Sequence, residues 1–511
     1  MSVAKPQNIL LITSDQQHYD TIGLFNKHIK TPALDRLARE GTTFTRAYCN
    51  TPVCSPSRGT IITGQYPAWH GCWTIGVKLP EDVPTVGDDF QSHGYHTSLI
   101  GKAHFQPLKD GPGEQKSIES QPTLRDLDFW RNFHGPWYGF KHVETCRNHG
   151  DEPHAGGHYA VWMEDHGFKN WADHFVKPLP NSYKNATPCK EGAWDLPQEF
   201  HYTRWTAERT IADIEKSVKE GKPFMTWASF HDPHPPYIVS RPWDSMYDPA
   251  DMPIGSFTEG EFDDKPPHFA MTRDRNADWK IYQEPGGNHV HGGQCHLHDP
   301  DKLRKQMALY YGMTSFMDQE IGRILDALDR LGIAENTLVV FSTDHGHFLG
   351  QHGLVAKGPF HYEDLLKLPF IVRQPGKVPA NKTSAALQGL VDLAPTFLAA
   401  CDLPVPGRMQ GVNQWDVWTG KKDKAREDVV IEFRHQPTTV HLRTFVTERY
   451  KITIYRNHPY GELFDLQDDP GELRNLWDRP EAQKVKADMM HQFLNAEIVR
   501  EPTRMPRVAG A

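Results

Sequence analysis

The sequence predicts an α/β protein in which a largely parallel sheet is covered on both faces by helices. Three observations lead there. Short apolar runs recur at residues 9–13, 97–100, 224–230, 338–343 and 370–373. Helical patterns separate one run from the next, which is the rhythm of strands joined by crossover helices. The residues just past four of the runs are ionisable: Asp15; Lys102 and His104; His231 and His234; Asp344 and His345. Ligands of such sheets sit at the carboxyl ends of strands, so these positions are where chemistry is expected.

The first run ends in the polar turn Ser14-Asp15-Gln16-Gln17. A helix follows, with Thr31 as its cap, Pro32 at its first position, Gly41 as terminator and Leu34, Leu37 and Ala38 as its apolar face. Between about 106 and 200, and again between about 257 and 300, periodicity weakens and Gly, Pro, His and Trp accumulate, which predicts long insertions over the strand ends. Near the C-terminus, short runs at 429–433, 442–447, 450–455 and 462–465 have hairpin spacing and precede a helix at about 481–498. The expected division is a main α/β domain over 1–425 and a smaller α+β subdomain with a tail over 426–511.

Composition excludes several classes. The 511 residues, 38% apolar and 24% charged, can bury a large core. Lys and Arg number 56 against 65 Asp and Glu, a net charge of −9 that argues against a nucleic-acid partner. An anionic substrate must therefore meet a local positive site. No apolar run approaches the roughly 18 residues needed to span a bilayer, so no membrane association is expected. Seven cysteines, an odd number spread over the chain, do not form a disulfide framework. A cytoplasmic protein is expected.

The most specific segment is Cys54-Ser55-Pro56-Ser57-Arg58-Gly59-Thr60-Ile61-Ile62-Thr63-Gly64. A Cys and an Arg at the start of a helix place a thiol and a guanidinium where an anion is favoured. A thiol-phosphatase loop needs five residues between Cys and Arg to wrap phosphate; three stand here. The segment instead resembles the signature of the type I sulfatases, C-x-P-x-R followed by Thr-Gly, in which the cysteine is oxidised to formylglycine. The resemblance extends through Asp15-Gln16, Gly101-Lys102-Ala103-His104, Pro233-His234-Pro235-Pro236, Ser342-Thr343-Asp344-His345-Gly346, Lys357, Asp392-Leu393-Ala394-Pro395-Thr396 and Glu462-Leu463-Phe464-Asp465-Leu466.

This resemblance implies the alkaline-phosphatase-like fold, a doubly wound, mostly parallel sheet with a small C-terminal antiparallel sheet-and-helix subdomain. It also implies a hydrolase of sulfate monoesters, aryl or small organic. Cys54, as hydrated formylglycine, would be the nucleophile and form a covalent sulfo-enzyme intermediate. Asp15, Gln16, Asp344 and His345, with residue 54 itself, would hold one divalent cation, Ca²⁺ by the oxygen ligands or Mn²⁺ by the imidazole. His104 would be the base that releases sulfate. Arg58 and Lys102 would neutralise the transferred group, and His234 and Lys357 would serve the leaving oxygen. The alternative is a phosphonate monoester hydrolase or phosphodiesterase with the same nucleophile and metal, which the Pro233 to Tyr237 segment also resembles; Lys102 and His104 favour the sulfatase. Turnover in both classes is expected. A formylglycine-generating enzyme is the implied partner, and a homodimer or homotetramer the expected assembly.

Bland readings cover the rest. Cys49, Cys72, Cys146, Cys189 and Cys401 read as packing residues. His231 follows the same strand as His234 but misses the His-x-Pro position. His289, His291, Cys295, His296 and His298 match no closed zinc pattern and read as a solvated loop. Trp130, Trp137, Tyr138, Trp162 and Trp171 either line an aromatic pocket or pack against the core.

Overall fold

The computed structural model describes residues 7–111, 113, 116–177, 187–284, 292, 299–436, 439–501 and 510. His289, His291, Cys295, His296 and His298 lie outside the described residues, as do residues 502–509 of the expected tail.

The central sheet is built from β1 (Asn8–Ser14), β2 (Thr42–Phe44), β3 (His96–Gly101), β4 (His142–Thr145), β5 (Phe224–Ser229), β6 (Thr337–Thr343), β7 (Ile371–Arg373) and β8 (Lys382–Ser384). Its spatial order is β8-β2-β7-β6-β1-β5-β3-β4. β1 is central and pairs in parallel with β5 and β6. Only β7 runs against its neighbours, antiparallel to both β6 and β2. β1 is buried along its whole length, which is why its sequence is a continuous apolar run with no alternation.

Both faces of β1 are covered. Leu10 and Ile12 pack with Leu34 and Leu37 of α1 (Pro32–Glu40), Ile214 of α3 (Tyr202–Lys219) and Met317 and Ile321 of α4 (Pro300–Arg330). Ile9 and Leu11 share a cluster with Ile61 and Ile62 of α2 (Cys54–Thr63) and Leu393 and Phe397 of α5 (Leu393–Ala400). Burying each such side chain stabilises the fold by roughly 1.5–3 kcal/mol.

The start of α1 differs from the expectation. Thr31 occupies the cap position, but its side chain accepts no hydrogen bond from the helix's first turn. The N–H groups of Ala33 and Leu34 donate instead to Asp318 of α4, at 3.0 and 2.7 Å. A carboxylate from a packed neighbour satisfies two donors of the first turn and suits the positive helix end better than a hydroxyl. Thr31, fully buried, instead accepts from the Gly23 N–H and donates to Asp35.

Residues 106–200 are not only loop, since they supply the edge strand β4. Trp130, Trp137, Tyr138, Trp162 and Trp171 are all buried. Trp137 and Tyr138 join the main core, while Trp162 and Trp171 join Tyr159, Trp194 and Trp205 in a satellite core. These rings pack rather than form an open aromatic pocket.

The C-terminal part is an antiparallel meander of β9 (Asp428–Gln436), β10 (Val440–Thr447), β11 (Tyr450–Tyr455) and β12 (Gly461–Asp465). α6 (Gln483–Val499) lies against it, with Phe493 stacked on Phe445 at 5.2 Å. The meander is joined to the main sheet region by Asn50, which accepts from the Glu432 N–H at 2.8 Å, and by the Arg426–Asp392 ion pair at 2.6 Å. The alkaline-phosphatase-like arrangement expected from the sequence is therefore present: a large, mostly parallel sheet with a small antiparallel sheet and helix beside it.

Candidate active site

The carboxyl ends of β1, β3, β5 and β6 converge on one buried cluster. Asp15 leaves β1 fully buried, and the next residue turns sharply: Gln16 has φ 57°, which aims its N–H at Asp344 Oδ1, 3.0 Å away. Asp344, just past β6, also accepts the N–H of His345 through Oδ1 and Arg58 Nε through Oδ2, each at 3.0 Å. Arg58 is 0% exposed. Its Nη1 donates to the Lys102 carbonyl at 2.9 Å and to Ser229 Oγ at 2.8 Å, and its Nη2 lies 3.4 Å from Asp15 Oδ2.

β3 delivers Lys102 through a glycine. Gly101 has φ 107°, and a Cβ there would stand 2.0 Å from the Ser229 carbonyl oxygen. The missing side chain lets Lys102 donate its N–H to that carbonyl at 2.9 Å and turn its ammonium onto Asp15 Oδ2. His104, with φ 56°, is the second non-glycine residue of the site with left-handed backbone. Its N–H is held by Glu119 Oε1 at 2.9 Å, its ring reaches Cys54, and its Nδ1 has no partner among the described residues.

Cys54 opens α2, at the positive end of the helix. Its Sγ lies 3.0 Å from Lys357 Nζ, 3.1 Å from His345 Nε2 and 4.0 Å from Asp15 Oδ1. Burial pushes this thiol up, but the charges of Lys357 and Lys102 outweigh it and hold Cys54 well below the ordinary thiol range. Burial pushes Cys49 and Cys146 up, as befits packing thiols. The six described cysteines form no disulfide with one another. Burial also opposes ionisation of Asp15, yet Lys102, His234, His149 and Arg58 together keep it well below the usual carboxylate range. His104 is pushed down by burial and by Arg147, so it stands neutral. His234 falls to about 3 through burial and the neighbouring His149.

The residues present fit a divalent cation. One ligand atom from each of Asp15, Cys54, Asp344 and His345 lies within 4.8 Å of the others, and all four residues are buried. Gln16 ties its Nε2 to His347 Nδ1 at 2.7 Å and keeps a buried Oε1 with no partner among the described residues, a spare acceptor beside the cluster in sequence. Two carboxylates, an imidazole, an amide oxygen and residue 54 are a hard, oxygen-rich donor set.

All ten candidate residues from the sequence meet here, Gln16 through its backbone contact to Asp344. His231 does not join them as a partner of residue 54; its Nε2 is tied to the Cys146 carbonyl at 3.0 Å. Three neighbours were not foreseen. His149 lies 2.6 Å from Lys102 Nζ and stacks on His234. Glu152 holds His149 Nδ1 at 2.9 Å. His347 bridges Gln16 to the Tyr237 hydroxyl, 3.0 Å away. His149 follows β4, a strand whose sequence carries no clear period; His347 stands two residues past His345 and had that position as its only signal.

A buried cysteine on a helix start, beside a metal-capable cluster at the strand ends of this sheet, is the arrangement expected of an alkaline-phosphatase-type hydrolase. The sulfatase family model matches residues 7–403, and the chain belongs to the sulfatase family. A second model, the C-terminal part of N-sulphoglucosamine sulphohydrolase, matches residues 350–498. An arylsulfatase of Clostridium perfringens is 28% identical, over 96% of this chain and 94% of its own length. The uncharacterized sulfatase YidJ of Escherichia coli is 26% identical, over 98% and 89%. Among solved structures, a phosphonate monoester hydrolase from Silicibacter pomeroyi superposes with a TM-score of 0.77 at 24% identity, covering 98% of this chain and 96% of that one. No described helix is long and apolar enough to cross a membrane.

Proposed function

We propose that the chain hydrolyses a sulfate monoester of an aryl or small organic alcohol, with Cys54 matured to formylglycine as its nucleophile. The observation that carries the reading is the setting of Cys54: a buried helix-start residue within 3.0 Å of Lys357 and 3.1 Å of His345, inside the cluster with Asp15 and Asp344. A packing cysteine has no use for such neighbours.

Asp15, Gln16, Asp344 and His345 would hold a divalent cation, Ca²⁺ in preference to Mn²⁺, which when bound lowers the pKa of a hydroxyl on residue 54 and polarises the ester. Arg58 and Lys102 hold the negative charge of the group being transferred. The diol oxygen of residue 54 bonds to sulfur as the ester S–O bond breaks, and His234 and Lys357 are placed to stabilise or protonate the departing alcohol oxygen. His104, neutral, takes the proton of the hydroxyl that remains on residue 54; its C–O bond to the sulfate then breaks, sulfate leaves and the aldehyde re-forms. Losing one charge-stabilising contact is worth about 3 kcal/mol of transition-state stabilisation.

A phosphonate monoester or phosphodiester substrate is the second reading, favoured by the His234-Pro235-Pro236-Tyr237 segment at the site. A sulfate monoester and a phosphodiester carry the same charge, so leaving-group contacts must separate them. Two measurements test the proposal. Mass spectrometry of the Cys54 peptide, from protein co-expressed with a formylglycine-generating enzyme, is expected to find the aldehyde in place of the thiol. The mature enzyme is expected to show a higher kcat/KM for an aryl sulfate than for the matching aryl phosphonate monoester. A thiol in fully active protein would sink the nucleophile, and the reverse ranking would sink the sulfatase.

A further inference from the structure

Beside the site lies a group of cations with too few acceptors. Arg147 stands two residues past β4 and is 4% exposed, yet its Nε has no hydrogen-bond partner among the described residues. Its carboxylate neighbour Glu119 lies at 3.6 Å, beyond hydrogen-bond range. Glu119 is already engaged, accepting the N–H groups of His104 at 2.9 Å and Gln106 at 2.8 Å.

Arg125 repeats the pattern. It lies over the Trp171 ring at 5.2 Å and donates Nη2 to the Pro153 carbonyl at 3.0 Å, while its Nε is buried without a partner among the described residues. His154, 9% exposed, is close enough to both arginines for their charges to depress it. Glu152, a further carboxylate of this corner, is taken by the backbone and ring of His149, at 3.0 and 2.9 Å. A buried guanidinium without a hydrogen-bonded acceptor is costly. Arg147, next to the carboxylate that positions His104, is in that state, and the half-buried Arg125 beside it leaves its Nε unused, so the pair can take an anion from outside.

We infer that Arg147, with Arg125 and His154 beside it, forms a second anion subsite that receives a carboxylate or further sulfate on the organic part of the substrate. The inference rests on the sulfatase reading for the position of the first sulfate and adds the substrate class: esters with two negative groups. Arg147 selects substrate here; it takes no part in bond breaking.

Equilibrium binding of sulfonates tests this without turnover. The ortho, meta and para sulfobenzoates carry an unhydrolysable sulfonate and a carboxylate; benzenesulfonate lacks the carboxylate. By calorimetry on the metal-loaded chain, at least one isomer is expected to bind about tenfold more tightly than benzenesulfonate, as a charge-assisted bidentate contact should give. Arg147→Gln is expected to bring that ratio close to one and Arg147→Lys to keep part of it. Equal affinities in the unsubstituted chain overturn the subsite with no variant needed, as does a ratio that survives Arg147→Gln. If Arg147→Gln fails to fold, Arg125→Gln is read by the same ratio, and an unchanged ratio there overturns the proposal. The two readings part cleanly: a chain that prefers sulfobenzoate but never cleaves an aryl sulfate keeps the subsite and loses the sulfatase.

Discussion

His149 stacks on His234 with ring centroids 3.8 Å apart and planes 17° from parallel, while its Nε2 lies 2.6 Å from Lys102 Nζ. One imidazole thus sets the position of two groups that approach Cys54 from β3 and β5. We expect His149→Ala to lower kcat/KM for an aryl sulfate by about 100-fold, the loss of one preorganised contact. In a double-mutant cycle with His234→Ala the two losses should fall well short of additive, because the rings are in contact. Additive losses would show that His149 acts independently of His234.

Chelation is the second prediction. Asp15 and Asp344 sit fully buried near each other, with Arg58 bridging them. A cation at 100 times its Kd stabilises the native state by about 2.7 kcal/mol. A chelator should therefore lower Tm, and Ca²⁺ or Mn²⁺ should restore it. Gln16→Ala should weaken metal affinity about tenfold in a direct titration, since it removes one neutral oxygen. A Tm indifferent to chelator would place no metal among these residues.

Stability should also fall on the alkaline side, for a reason away from the active site. His352 is hydrogen-bonded to Glu261, lies 3.4 Å from Asp364 Oδ2 and stacks on Tyr362 at 3.6 Å. Burial opposes its charge, but Asp364 and Glu261 prevail and raise it from 6.5 to about 9. A group whose pKa is higher folded than unfolded contributes fully below the unfolded value and loses its contribution as pH rises through the folded one. His352 should thus contribute up to about 3 kcal/mol below pH 6.5 and progressively less up to about pH 9. Urea unfolding at the two ends of that window should show the loss, and His352→Gln should flatten it. His18 shares Asp364 and is likewise raised to about 9, so part of the slope should remain.

Gly101→Ala is expected to cost about 3 kcal/mol or more, combining a left-handed backbone with a clash against the Ser229 carbonyl. Activity should fall further than stability, because the same shift displaces Lys102 from Asp15. A variant that unfolds at the denaturant midpoint of the unsubstituted chain would show that β3 and β5 have room to separate.

The sheet's core strands were legible because β1, β5 and β6 are buried on both faces and so read as unbroken apolar runs. β2, β4 and β8 were not, since three or four residues carry no measurable period. The direction of β7 was equally hidden: burial fixes composition, and composition is blind to chain direction. The site divides along the same line. Cys54, Arg58, Asp15, Asp344 and His345 stand on motifs or next to readable strands. His149 and Arg147 follow β4 in a stretch where Gly, Pro and Trp break every pattern, and their roles depend on contacts to residues 47 and 28 positions earlier, Lys102 and Glu119. The Thr31 cap failed for a similar reason, its place being taken by a residue far along the chain, Asp318.

Cys54 is 1% exposed, roofed by groups made much later in the chain. Asp344 is 344 − 54 = 290 residues downstream, an interval of roughly 15–60 s at synthesis rates of about 5–20 residues per second. Oxidation of Cys54 by a separate enzyme would have to fall within that interval, or in the unfolded chain after release. Folding closes the door on chemistry that has not yet happened, so if activity depends on that oxidation, the fraction of working molecules would be set by a race between two clocks, one for translation and one for an oxygen-dependent catalyst.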